Sequence, residues 1–270
     1  MTMTLPCRAK ILLLGDSLTQ LAWNGWAAKL AHVYQRRADV VNRGMAGYNT
    51  DWFLRYMKHH EEDVLVEHVE LCIIFFGAND ASDAQLNPRH YVPIPDYKEN
   101  LAILIGKCRD KYGQNVAIII ITPPPVQHEQ RIEYQKQRYG DKATGKLERN
   151  LELSETYAKA AQEVAIESNT LCIHLWNDMQ KDPRWDRFFY DGLHFSSEGN
   201  DFVAEVILTT ISNNLPELVV KPCAITNQYA NSASSCRGLK QSGPFHDEID
   251  HTNPSAAFTD SWVGYCATHE

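Results

Sequence analysis

Short apolar runs recur along the chain from about residue 10 to residue 215, separated by longer amphipathic stretches. The runs at 11–14, 40–41, 71–76, 116–121 and 171–175 are nearly continuous rather than alternating. A strand that is apolar on both faces is buried from both sides, as in a parallel sheet covered by helices. Between the runs, Trp26, Leu30 and Val33 share one helical face. Asp96 and Glu99 have capping-box spacing and predict a helix that buries Leu101, Leu104, Ile105 and Cys108 and stops at Gly113. Another helix is predicted over about 148–168, with Tyr157, Ala161 and Val164 in register. The last runs from Ser196 or Ser197 to about Asn214 and aligns Phe202, Val203, Val206, Ile207 and Ile211. Strands alternating with helices in this way predict an α/β fold on a five-stranded parallel sheet.

The pattern breaks after Pro216. Residues 222–243 are rich in Ser, Asn, Gly and Cys and have little periodicity. Such a segment buries too little apolar area to offset the entropy of ordering it, so a mobile surface loop is expected. Beyond it, Phe245, Ile249, Phe258 and Trp262 are anchors that can dock back on the domain or on a second subunit. The division is therefore one domain, 1–218, and a tail, 219–270.

Composition narrows the class. With 270 residues, 44% hydrophobic and 22% charged, the chain can bury a sizeable core and is neither disordered throughout nor a repeat array. The 34 acidic residues exceed the 26 basic ones, for a formal charge of −8, which argues against a nucleic-acid partner. No apolar stretch reaches the ~20 residues of a membrane span, and no secretory signal is recognisable at the start. The seven cysteines lack CxxC spacing and read as reduced thiols of a cytoplasmic protein, with Cys72 and Cys172 in the core. His59, His60 and His68 do not form a metal-ligand frame, so neither metal nor cofactor is expected. Nothing in the pattern indicates a homo-oligomer.

In an open parallel sheet, ligands bind beyond the carboxyl ends of the strands. The segments that follow the five runs include Gly15-Asp16-Ser17-Leu18, Asn42-Arg43-Gly44, Gly77-Ala78-Asn79-Asp80, Thr122-Pro123-Pro124-Pro125 and, further downstream, Asp191-Gly192-Leu193-His194. A serine hydroxyl needs a base to remove its proton, and the base needs a group to hold its tautomer. Ser17, His194 and Asp191 supply those three roles. The N–H of Ser17, the N–H of Gly44 and the side-chain amide of Asn79 are suited to an oxyanion hole. Asp16 and Asp80 read as loop organisers that accept backbone N–H groups. The run 123–125 reads as a rigid loop bordering the site. Trp23, Tyr48 and Phe195 lie near these blocks and are candidates for the substrate pocket or for core packing.

The four blocks, in this order, resemble those of the GDSL/SGNH hydrolase family, and their flanks are most similar to the isoamyl acetate-hydrolysing esterase branch. The resemblance spans about residues 8–215. It implies a flavodoxin-like three-layer sandwich, the SGNH hydrolase fold, with cofactor-free ester hydrolysis on a small-molecule substrate. The expected function is a serine esterase acting on small carboxylic esters, acetates first. A lysophospholipase, a thioesterase or a carbohydrate deacetylase would use the same machinery. A ligand-binding module without catalysis is the alternative from another class.

Overall fold

Each of the five apolar runs becomes a parallel strand. The computed structural model describes residues 8–143 and 145–220, together with Leu239, Ile249, Thr252 and Asn253. The strands are β1 (Ala9–Gly15), β2 (Ala38–Gly44), β3 (Val69–Phe75), β4 (Ala117–Ile121) and β5 (Leu171–Ile173), hydrogen-bonded in the order β2-β1-β3-β4-β5. The helices are α1 (Ser17–Gln20), α2 (Trp26–Tyr34), α3 (Thr50–Val64), α4 (Ile94–Tyr112), α5 (His128–Tyr139), α6 (Leu151–Glu167), α7 (Leu175–Gln180) and α8 (Ser197–Asn214).

Alternate residues of the strands feed two cores. Ile11, Leu13, Ile73, Phe75, Ile119 and Ile121 pack with α2 and α8 on one face. Leu12, Leu14, Cys72, Ile74, Ile118 and Ile120 pack with α3, α4 and α6 on the other. The result is an α/β sandwich of three layers. The chain moves outward from β1 to β2 and then returns to place β3 on the other side of β1. This reversal leaves a crevice at the carboxyl ends of β1 and β3.

Several boundaries differ from the periodicity. The second strand is longer than 40–41 because it lies at the sheet edge, where Asp39, Asn42 and Arg43 are tolerated. The fifth ends at Ile173, since His174 caps α7 and Leu175 begins that helix. The capping box at Asp96 and Glu99 does not form: Pro93 is the N-cap of α4 without a side-chain cap bond, and Asp96 lies inside the first turn. The helix predicted from 148 starts instead at Leu151, capped by Asn150. Glu148 and Arg149 are thereby left in the preceding loop. Cys72 and Cys108 are buried free thiols, whereas Cys172 is only half-buried.

Among the described residues no helix is long and apolar enough to cross a membrane. Most of 222–243, with Phe245, Phe258 and Trp262, lies outside the described residues. Leu239 is an exception: it is buried in the core on the α2–α8 side, and Arg37 Nη1 donates to its carbonyl at 3.1 Å. The expectation of little buried area in 222–243 therefore does not extend to Leu239.

Candidate active site

Ser17 is the first residue of α1, directly after the turn that ends β1. Asp16 caps this short helix, its Oδ1 accepting the Leu18 N–H at 2.9 Å. The cap holds Ser17 at the sheet edge, and the Ser17 N–H, at the helix start, has no intrahelical acceptor.

Asp191 and His194 occupy one closed loop. Phe189 and Phe195 form an antiparallel bridge at its base, and the Tyr190 N–H donates to the His194 carbonyl at 3.1 Å. Within the loop, Asp191 Oδ1 accepts the N–H groups of Leu193 (3.0 Å) and His194 (2.7 Å). Gly192 makes this turn with φ +79°, and a Cβ there would stand 2.4 Å from the Gln127 carbonyl. Only glycine satisfies both conditions.

These two pieces meet. His194 Nδ1 is 2.7 Å from Asp191 Oδ2, and His194 Nε2 is 3.0 Å from Ser17 Oγ. An ionised carboxylate only accepts hydrogen bonds, so Nδ1 carries the hydrogen and Nε2 is free to accept from the serine. Burial acts to raise the Asp191 carboxyl, but the hydrogen bonds and charge of His194 and the loop N–H groups outweigh it and hold the carboxyl below its usual range. The arrangement can deprotonate a serine hydroxyl and stabilise the resulting imidazolium.

Asn79 lies in the turn after β3. Its Nδ2 donates to the Tyr48 carbonyl at 2.8 Å, and its Oδ1 accepts from Arg149 Nη2 at 2.9 Å. An amide nitrogen carries two hydrogens, so one remains for another acceptor. Gly44 sits at the end of β2, but its N–H donates to Asn42 Oδ1 at 2.8 Å. A Cβ at Gly44 would lie 2.2 Å from the Gln20 nitrogen, so the missing side chain lets β2 pass against α1.

Asp16 and Asp80 do organise loops. Asp80 Oδ1 accepts the Thr50 N–H at 2.9 Å and its hydroxyl at 2.5 Å. Burial pushes Asp16 up to about 7, with the Asp80 charge adding to it, and burial likewise pushes Asp80 up to about 6. The run 123–125 is buried, with Pro123 packed beside Gly77, as a rigid loop requires.

A chamber of about 480 Å³ opens at Ser17 and His194, walled by Leu18, Leu21, Asn24, Tyr190, Phe195, Ser196, Ser197 and Asn200. Of the three pocket candidates, only Phe195 lines it. Trp23 points to solvent, 48% exposed. Tyr48 lines a separate open groove with Trp52, Tyr56 and Arg89, and meets Asn79 through its backbone carbonyl. The sequence reading did not include Leu21, Asn24 or Tyr190; Tyr190 stacks on the His194 ring at 5.8 Å. A larger groove, about 680 Å³, lies between α2 and α8 around Lys29 and Asp201 and contains none of these groups. His59 and His60 are exposed on α3. Among the described residues no group of three His, Cys, Asp or Glu side chains is placed to hold a metal ion.

The model of the GDSL-like lipase/acylhydrolase family matches residues 13–202. The chain is 34% identical over 256 residues to a GDSL esterase/lipase of Arabidopsis thaliana, covering 93% of this chain and 98% of the relative. It is 35% identical to the isoamyl acetate-hydrolyzing esterase 1 homolog of Mus musculus, over 72% of this chain and 78% of that protein. Among solved structures, a lipase/acylhydrolase from Enterococcus faecalis superposes with a TM-score of 0.59 at 29% identity, over 76% of this chain and 96% of its own. An acetylxylan esterase from Geobacillus stearothermophilus shares the fold, with a TM-score of 0.57 at 20% identity over 77% and 96%.

Proposed function

The chain belongs to the GDSL-like lipase/acylhydrolase family and is a carboxylic ester hydrolase; on that footing we propose that it cleaves small acetate esters through an acyl-enzyme on Ser17. The observation that carries the reading is the continuous hydrogen-bonded path Ser17–His194–Asp191, at 3.0 and 2.7 Å. Ser17 Oγ attacks the ester carbonyl as His194 Nε2 takes its proton. The tetrahedral oxyanion receives the Ser17 N–H and the spare Asn79 Nδ2 hydrogen, with the Gly44 N–H joining when Asn42 releases it. The C–O bond breaks, and the alcohol leaves with the proton from His194. Water, deprotonated by the same imidazole, then frees the acid and restores Ser17.

The acetate preference is supported by the mouse relative's name, and Leu18, Leu21 and Phe195 give the chamber apolar walls for an ester. The buried thiols Cys72 and Cys108 suit a reducing compartment such as the cytoplasm. A chain-length series of nitrophenyl esters, followed by natural acetates, tests the proposal. Highest kcat/KM on acetate is expected. A maximum at long acyl chains, or on a thioester, would assign another substrate class. An organophosphate that inactivates the enzyme without labelling Ser17 would remove the nucleophile assignment.

A further inference from the structure

Arg149 stands behind the oxyanion side of the site. It is 6% exposed, and its guanidinium donates from Nε to the Ala78 carbonyl and from Nη2 to Asn79 Oδ1, both at 2.9 Å. Nη1 reaches Glu148 Oε1 at 3.0 Å. Glu148 in turn holds Arg131 Nη2 at 3.2 Å and accepts from Gln135, while Arg131 Nη1 lies 3.5 Å from Asp191 Oδ2. One buried network thus touches both the acid that supports the base and the amide that faces the oxyanion.

Building on the reading of Asn79 as an oxyanion donor, we propose that Arg149, anchored by Glu148 and Arg131, is a positioning residue that orients and polarises the Asn79 amide for transition-state stabilisation. An amide can be turned end for end with little change of shape. Here a flip would set Oδ1 against the Tyr48 carbonyl and the NH₂ against a guanidinium, two repulsive contacts in place of two hydrogen bonds. The spare N–H is therefore fixed in direction. A cation on Oδ1 also draws electron density from the amide, which makes its N–H a stronger donor. Stability is a poor reason for the arrangement, because a well-packed apolar plug generally serves at least as well as buried ions. Burial opposes the charge on Arg149, and Glu148 is the nearest compensation.

The test is a double-mutant cycle on the full chain with 4-nitrophenyl acetate. Asn79→Ala should lower kcat about 10²–10³-fold. Arg149→Met should lower kcat about 10- to 100-fold while KM stays within about twofold, because only donor placement is lost. The double variant should be no slower than Asn79→Ala alone, since nothing remains to be positioned. Losses that multiply, or a folded Arg149→Met with wild-type kcat beside an impaired Asn79→Ala, would overturn the proposal. A wild-type kcat in Asn79→Ala would instead overturn the oxyanion reading itself. If Arg149→Met does not fold, Arg149→Lys replaces it in the same cycle. Its ammonium reaches only one of the two carbonyls, so an intermediate kcat with no added loss beside Asn79→Ala is expected, and multiplying losses refute the proposal.

Discussion

The Gly44 N–H is bonded to the side chain of Asn42, two residues back on the same strand, at 2.8 Å, while the missing Gly44 side chain leaves room for the Gln20 backbone. The residue thus joins β2 to the helix that carries Ser17. Gly44→Ala should destabilise the fold by at least the ~1–3 kcal/mol of an overpacked core, since backbone cannot swing aside as a side chain can. Urea titration reads the loss. An unchanged midpoint would mean that β2 and α1 separate at little cost.

Ser17→Ala should abolish ester hydrolysis and leave melting unchanged. Only Oγ is lost, and its hydrogen-bond partner, His194, is partly exposed and can turn to water. Turnover is read with nitrophenyl acetate and folding by circular dichroism. A folded variant with substantial activity would exclude Ser17 as nucleophile.

Asp191→Asn should lower kcat about 10³–10⁴-fold. The amide can present an N–H to His194 Nδ1, which drives the ring hydrogen to Nε2 and points it at the serine. A loss smaller than tenfold would show that something other than Asp191 sets the tautomer.

The contribution of Asp16 and Asp80 to stability should fall as pH rises from about 4 to 7. Burial holds Asp16 up to about 7 and Asp80 up to about 6, whereas unfolded aspartates ionise near 4. Across that interval the native state keeps protons that the unfolded chain has released, so ionisation favours unfolding. Asp16→Asn, which retains an acceptor for the Leu18 N–H, should gain stability relative to wild type as pH increases. Urea midpoints at pH 5 and 7.5 give the comparison, and an equal gap at both would show that Asp16 is ionised throughout.

The strands were legible because both faces of the sheet are apolar, and the first three blocks because each follows a strand; the fourth lies beyond α7 and is legible by its Asp-x-x-His spacing. α5 was not, for a physical reason: its buried positions are Arg131 and Gln135 rather than aliphatic residues. A helix whose inward face is polar has no hydrophobic period to detect. Glu148 and Arg149 fall inside the helix that the periodicity predicts from about 148, whereas Asn150, a strong N-cap residue, marks its actual start. The network behind Asn79 thus escapes the pattern in two places, Arg131 on a helix without an apolar period and Arg149 just before a helix start. Tyr190 adjoins Asp191 in sequence, but adjacency says nothing about its stacking on the ring of His194.

The bridge between Phe189 and Phe195 has an evolutionary consequence. It joins the two ends of the loop that carries the acid and the base, closing them into one cassette. The 3₁₀ turn Leu21–Asn24, which contributes Leu21 and Asn24 to the chamber, lies outside the cassette and can drift separately. That part of the chamber wall can therefore change without touching the acid or the base, whereas Tyr190 and Phe195 tie the rest of the wall to them.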